Sequence, residues 1–234
     1  MKKSITAIHG ACALMLAAPL LHAVPTPVGP PLAGSGDGLN SRWVVVDPSI
    51  KPDTIAQAEA VLAMGPGDAG FVSQTEAIVP NIAFYDGIGG YSDSGFPMPD
   101  PATDPRYAVR YTGFLNIVTG GDYRFFSFTD DGFRFDLGGE TISSFDGNRG
   151  PDVSVSGLYS LGAGLYPIAF LGWEQGGVFV TELSWSLDGA PESIIPQSAF
   201  FSRRPSTGVP DAGSTLVLLM VGVVAGRALL GRFP

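Results

Sequence analysis

The chain has 234 residues and a formal net charge of −9, and its 2 histidines and 1 cysteine (His9, His22 and Cys12) all lie near the N-terminus. If that stretch is a removed leader, the remaining protein has no Ser-His-Asp or Cys-His nucleophile, no zinc or haem site with these ligands, and no disulfide. An acidic chain also repels phosphate backbones, so no nucleic-acid partner is expected. With 32 glycines, 20 prolines and only 15% charged residues, the composition suits an exported all-β domain.

The N-terminus has the three parts of a secretory signal. Lys2 and Lys3 precede an apolar run over Ala11–Leu21, and the small residue Ala23 follows. The apolar run is shorter than the roughly 20 residues that span a bilayer. Residues 1–23 are therefore predicted to be a signal peptide that signal peptidase removes near Ala23.

Proline- and glycine-rich stretches delimit the body of the chain. Residues 24–40 and the shorter 202–208 are expected to be linkers, which leaves residues 41–201 as one domain. Such a length is sufficient for a substantial hydrophobic core.

The first half of this domain has one helical stretch. Trp43–Val46 is a β-branched run that predicts a strand, and Ile55–Met64 has helical character with Asp53 as a candidate N-cap. Tyr107–Val118 predicts either a pair of strands or one long bulged strand around Gly113.

The second half consists of short strands separated by glycine-rich turns. Tyr123–Phe128 and Phe133–Leu137 are predicted to form a hairpin across the turn Thr129–Gly132. The remaining predicted strands are Leu158–Leu161, Leu165–Trp173 and Val178–Leu187. This pattern predicts an antiparallel β-sandwich or barrel with one short helix.

The C-terminus has the features of a second targeting signal. Its short motif is Val209, Pro210, Asp211, Ala212 and Gly213; the apolar stretch Leu216–Ala225 and a tail with Arg227 and Arg232 follow. The residues between Asp211 and Arg227 are all uncharged and would cover about 22 Å as a helix. This is shorter than the roughly 30 Å hydrocarbon core, so a transmembrane helix requires Arg227 to snorkel and the helix to continue to Arg232. Arginine on this flank predicts a cytoplasmic C-terminus, with the body outside.

This order of motif, apolar helix and arginine-containing tail in residues 209–234 resembles the PEP-CTERM class of bacterial exported proteins, and within it the Val-Pro-Asp-Ser-Gly subgroup. Ala212 stands where that subgroup has serine. The resemblance implies that an exosortase cuts the tail before delivery to the cell surface or extracellular matrix. An ordinary stop-transfer anchor is the alternative, and it has the same topology.

Five motifs of the body resemble the protective antigen domain family, a β-barrel module of fourteen kilodaltons. The motifs are Gly120–Phe125, Asp130–Phe135, Gly164–Ile168, Trp173–Gly177 and Leu183–Trp185, and the similarity extends over about Gly38 to Phe201. The family is mostly regarded as a carbohydrate-binding or adhesion module, so the resemblance implies a glycan or polysaccharide partner.

Asp130 and Asp131 are the most distinctive polar residues of the body. Two adjacent carboxylates repel each other and gain from a shared cation, and calcium accepts six to eight oxygen ligands without histidine or cysteine. The resemblance adds that adhesin members hold calcium with two adjacent aspartates joined by a cis peptide bond, and that the calcium holds vicinal sugar hydroxyls. The alternative is a plain turn in which the aspartates cap their own backbone.

A second loop would complete such a site. The candidates are Glu174 and Gln175 in the late turn and Asn148 in the segment Asp146–Asn148. Trp173 and Trp185 could stack on a sugar ring, but their strand positions favour core packing.

Catalysis is not expected. Adjacent aspartates do not provide the opposed acid and base of a glycosidase, which lie about 5 to 9 Å apart. Two functions remain open: a surface-displayed, calcium-dependent glycan-binding module, and a non-catalytic structural or adhesive matrix component without a defined sugar pocket.

Overall fold

The computed structural model describes residues 23–85 and 106–204, which form two antiparallel β-sheets and one α-helix. The first elements are β1 (Leu39–Val46), α1 (Ile55–Ala63), β2 (Phe71–Val79), β3 (Ala83–Tyr85), β4 (Arg106–Ile117), β5 (Gly121–Asp130) and β6 (Phe133–Leu137). They are followed by β7 (Glu140–Phe145), β8 (Asp152–Leu161), β9 (Gly164–Glu174), β10 (Val180–Leu187), β11 (Ser193–Ile194), a 3-10 helix at Gln197–Ala199 and β12 (Phe200–Phe201).

The strands are divided between a seven-stranded and a five-stranded sheet. The larger sheet has the order β2-β1-β4-β9-β6-β7, with β12 also paired to β4. The smaller sheet has the order β11-β10-β5-β8, with β3 also paired to β10. The predicted all-β architecture is therefore confirmed.

Aromatic side chains fill the space between the two sheets. Trp43 of β1 packs against Tyr107 of β4 at a ring-centroid distance of 5.2 Å. Phe125 of β5 meets Phe135 of β6 edge-on across the core, also at 5.2 Å. Because each such ring buries a large apolar area, these layers supply much of the hydrophobic stabilisation.

The helix α1 covers the opposite face of the larger sheet. Its residues Ala58, Val61 and Leu62 are buried against a second apolar cluster that includes Leu171 and Trp173 of β9. Its N-cap is Thr54, whose hydroxyl accepts the N–H of Gln57 at 3.3 Å. The expectation that Asp53 caps the helix is wrong by one residue.

The region predicted as a strand pair or one bulged strand over Tyr107–Val118 is the single strand β4, which ends at Ile117. A side chain at Gly113 would come within 2.6 Å of the Phe201 carbonyl oxygen. Glycine at this position therefore allows β12 to approach β4 closely.

The predicted hairpin over Tyr123–Leu137 is wrong. β5 pairs with β8 and β10 in the smaller sheet, whereas β6 pairs with β7 and β9 in the larger one. The turn at Asp130 and Asp131 therefore passes the chain from one sheet to the other. Both strands bury alternate residues, but they do so from opposite sides of one core.

The N-terminal flank of the domain lies against one end of β9, and the C-terminal flank contacts the N-terminal one. Residues 24–40, expected to be a linker, form hydrogen bonds to the body: Val28 N–H donates to Leu165 O at 2.8 Å, and Gly36 and Gly38 donate to Ser198 and Phe200. Arg204 Nη2 donates to Val28 O at 2.8 Å. This side-chain contact joins the two flanks to each other.

Within residues 23–85 and 106–204, no helix combines the length and the hydropathy needed to cross a membrane. The expected signal peptide of residues 1–23 lies outside the described residues except for Ala23, and the sorting motif and the expected transmembrane helix lie outside them entirely.

Candidate functional site

The turn between β5 and β6 places Asp130 and Asp131 beside the end of β9. Asp131 N–H donates to the Trp173 carbonyl at 2.9 Å, and Trp173 N–H donates to the Gly132 carbonyl at 3.3 Å. The peptide bond between the two aspartates is cis. These backbone contacts hold the turn against the last residues of β9.

Gly132 is needed because the turn passes directly over Trp173. A side chain at Gly132 would begin 2.1 Å from the indole ring and 2.5 Å from the Gly147 carbonyl oxygen. Both distances are far below van der Waals contact, so only glycine fits between the ring and the neighbouring loop.

Three carboxylates meet at this point. Asp130, Asp131 and Glu174 each present an oxygen, and the three oxygens lie within 4.8 Å of one another. All three residues are buried, with exposed fractions of 8%, 4% and 0%. Glu174 belongs to the face of β9 that points between the sheets, because Phe170 and Gly172 precede it at a spacing of two.

Both oxygens of the Asp131 carboxylate accept backbone hydrogen bonds. Oδ1 accepts the N–H of Arg149 at 3.1 Å, and Oδ2 accepts the N–H of Gln175 at 2.8 Å. Burial nevertheless raises the pKa of Asp131, against the opposing effect of these hydrogen bonds. The turn is thereby attached to two loops, one after β7 and one after β9.

The loop after β9 is shaped around Glu174. Glu174 Oε1 accepts the N–H of Gly176 at 2.6 Å. Burial and the Glu174 charge raise the pKa of the neighbouring Tyr107 phenol well above its usual value. Glu174 and Gln175, both singled out from the sequence, therefore lie at the aspartate pair.

The loop after β7 brings Asn148 to the same region. Its Oδ1 accepts the indole N–H of Trp173 at 3.1 Å, and its Nδ2 donates to Asp53 Oδ1 at 2.5 Å. Asp146 Oδ1 accepts the N–H of Ile55 at 2.6 Å. The amide of Asn148 thus links Trp173 to the segment before α1.

Core packing is confirmed for Trp173, which is 1% exposed and lies in the apolar cluster that includes α1. Trp185 is partly buried and packs against the main core between the two sheets. The Trp173 ring therefore lies on the helix side of the larger sheet, where the turn at Gly132 passes over it.

Sequence reasoning missed Arg149 and Thr129. Arg149 Nη2 donates to Thr129 Oγ1 at 2.7 Å, and that hydroxyl donates to the Asp131 carbonyl at 3.1 Å. A lone arginine in a glycine-containing loop has no periodic signal. Its nearness to Asn148 along the chain was the available indication.

Comparison with known proteins shows which family the chain belongs to. The sequence model of the PA14 domain matches residues 69–199, more than half of the chain. No protein with a curated description matches it.

Several solved structures share the fold. The PA14 domain of the MpAFP antifreeze protein has 18% sequence identity and a TM-score of 0.57, covering 74% of this chain and 95% of that one. The PA14 sugar-binding domain from an RTX adhesin has 23% identity and a TM-score of 0.56, covering 73% and 100%. The Epithelial Adhesin 6 A domain from Candida glabrata, in complex with Galβ1-3GlcNAc, has 14% identity and a TM-score of 0.54, covering 79% and 95%. The chain belongs to the PA14 domain family.

Proposed function

We propose that the domain binds carbohydrate through a calcium ion held by Asp130, Asp131 and Glu174. The observation that carries this proposal is the convergence of three buried carboxylates within 4.8 Å at one corner of the domain. Buried carboxylates so close to one another repel, and a divalent cation relieves that repulsion.

The donor set fits calcium. All three side chains offer carboxylate oxygens, which hard cations prefer, and calcium would leave further coordination positions for loop carbonyls and sugar hydroxyls. A bound calcium ion would supply the positive charge that orients vicinal hydroxyl groups. The ligand class is supported by two structures of the same fold, the sugar-binding domain of the RTX adhesin and the Candida glabrata adhesin in complex with Galβ1-3GlcNAc.

The loops around the cluster would then contact the sugar. Gln175 follows Glu174 directly, and its backbone N–H already binds Asp131. Asn148 lies on the other side of the turn, where its amide bonds to Trp173 and Asp53. We assign Gln175 a direct role in sugar contact and Asn148 a role in holding the loop.

The same cluster favours binding over catalysis. Its ligand atoms lie within 4.8 Å, whereas the acid and base of a glycosidase flank the sugar at about 5 to 9.5 Å. Carboxylate oxygens this close together can all bind one cation, but they leave no room between them for a sugar.

A structural function without a sugar pocket is the second candidate. It is favoured by one observation: both Asp131 oxygens are already satisfied by backbone N–H groups. In that case the turn would be a self-capped corner of the domain, and matrix retention would survive loss of the aspartates.

Calcium titration separates the two candidates. Isothermal titration and thermal unfolding of the purified protein should show calcium binding and a higher Tm, and a glycan array with Galβ1-3GlcNAc among its probes should show calcium-dependent retention. Asp131→Asn should abolish all three effects, while Asp122→Asn, at the opposite, exposed end of the preceding strand β5, should leave them unchanged. Absence of calcium binding at millimolar concentration would refute the calcium site.

We also propose that the protein is exported and sorted. The support is the sequence of residues 1–23 and of residues 209–234, which predicts signal peptidase cleavage, transient membrane anchoring and exosortase processing at the cell surface. Mass spectrometry of protein released from the surface should show a chain that begins near Val24 and lacks the apolar tail. Surface protein that retains Arg232 would support the ordinary anchor instead.

A further inference from the structure

The Arg149 side chain lies inside the domain next to the carboxylate cluster. It is 12% exposed, and its guanidinium carbon lies 4.5 Å from the Phe145 ring centroid and 5.7 Å from that of Phe133. Contacts of this kind stabilise a cation most strongly where water is excluded. The two rings therefore keep the positive charge of Arg149 in a defined place.

Hydrogen bonds direct the guanidinium toward the aspartate turn. Nη1 donates to Ser154 Oγ at 3.0 Å and Nη2 donates to Thr129 Oγ1 at 2.7 Å. The exposed Asp152 carboxylate lies 3.6 Å from Nη1. The guanidinium is thus held by two strands of the smaller sheet, while the backbone N–H of the same residue binds Asp131.

The guanidinium of Arg149 is connected to the cluster through the Thr129 hydroxyl, which accepts from Nη2 at 2.7 Å and donates to the Asp131 carbonyl at 3.1 Å. A positive charge so placed attracts the carboxylates more strongly in a poorly hydrated corner than it would in water.

We propose that Arg149 is a positioning residue of the cation site: its positive charge offsets the repulsion among Asp130, Asp131 and Glu174 before a cation binds, and so holds the site in its binding geometry. This inference rests on the proposed function. It assigns Arg149 no direct contact with calcium or sugar.

The proposal has a consequence that a purely structural role lacks. Arg149 and calcium would relieve the same repulsion, so their contributions to stability would overlap and fail to add. Removal of the Arg149 charge should therefore lower stability more without calcium than with it.

The test compares the wild type and three variants by thermal unfolding in EDTA and in saturating calcium chloride. Arg149→Met keeps much of the apolar stem but removes the charge, and Arg149→Lys keeps the charge. Arg134→Met is the control, because Arg134, which is 31% exposed, is also partly buried but pairs with Glu59 and Asp136 on the helix side. Wild-type protein gives the reference calcium increment in Tm.

We expect the calcium increment of Arg149→Met to exceed that of the wild type by about 3 to 6 °C. Arg149→Lys should have a nearly wild-type increment, and Arg134→Met should lose the same Tm in both buffers. If Arg149→Met is unfolded in EDTA, calcium should restore its circular dichroism spectrum.

Equal Tm losses of Arg149→Met in both buffers would overturn the proposal, and so would failure of calcium to refold that variant. A reduced calcium increment in Arg149→Met would overturn it as well. In contrast, a wild-type protein that calcium does not stabilise would refute the calcium site itself, so the two failures are distinguishable.

Discussion

The carboxylate of Asp131 accepts the backbone N–H of Gln175 at 2.8 Å, which joins the turn between the two sheets to the loop that follows β9. A residue of the turn by which the chain leaves the smaller sheet is thereby tied to a loop that follows a strand of the larger sheet.

Loss of the Asp131 side chain should destabilise the domain even without calcium. Asp131→Ala leaves the buried N–H groups of Arg149 and Gln175 without their acceptor, which should lower the free energy of unfolding by about 2 to 3 kcal/mol. Asp131→Asn should lose less, because it retains one acceptor oxygen. Urea unfolding in EDTA measures both, and an Asp131→Ala loss no larger than that of Asp122→Ala would contradict this reading.

Gly132 should tolerate no side chain. Gly132→Ala would force a methyl group against the Trp173 indole and should cost at least about 2 kcal/mol, together with weaker calcium binding. Gly150→Ala is the control, since open space surrounds that position. Chemical unfolding and calcium titration of both variants check the prediction, which fails if the two alanines have similar effects.

The cap of α1 should contribute to stability independently of calcium. Thr54→Ala removes the hydroxyl that accepts Gln57 N–H and should lower the free energy of unfolding by about 1 kcal/mol. Thr54→Ser retains that acceptor and should unfold as the wild type does. Denaturation in urea compares the three proteins, and a Thr54→Ser loss as large as that of Thr54→Ala would exclude the capping role.

The stability of the domain should depend on pH through Glu182, which lies outside the carboxylate cluster. Burial, with a smaller effect from Glu192, raises the pKa of Glu182 in the folded protein above its usual value near 4.5. The folded protein therefore favours protonated Glu182. The contribution of this residue to the free energy of unfolding is present below pH 4.5 and is lost as the pH rises through the elevated pKa.

The comparison variant is Glu182→Gln, which cannot ionise. Its Tm relative to the wild type should rise between about pH 4.5 and 7, while the two proteins should converge at lower pH. A difference in Tm that does not change with pH would contradict the assignment.

The strands were predictable because their alternation is local, but their partners were not. Phe133, Phe135 and Leu137 indicated a buried face, which the structure confirms. The same alternation fits a hairpin partner or a strand of the opposite sheet equally well. The contact of Phe125 with Phe135 across the core, rather than a hydrogen-bonded pairing, decides between them.

The candidate site was partly predictable for a similar reason. Asp130 and Asp131 are adjacent in the chain, and the turn motifs led to Glu174 and Gln175. Arg149 acts through two aromatic rings and two hydroxyl groups that come from separate strands. The contacts to Phe133 and Thr129 join residues that are distant in the chain, so no spacing in the sequence predicts them.

The strand β9 separates the carboxylate cluster from the N-terminal flank. Gly29 pairs with Leu165 at one end of this strand, and Glu174 lies at the other, about 30 Å away at the usual rise of a strand. A polymer bound at the three carboxylates would therefore meet the end of β9 that the N-terminal flank leaves uncovered.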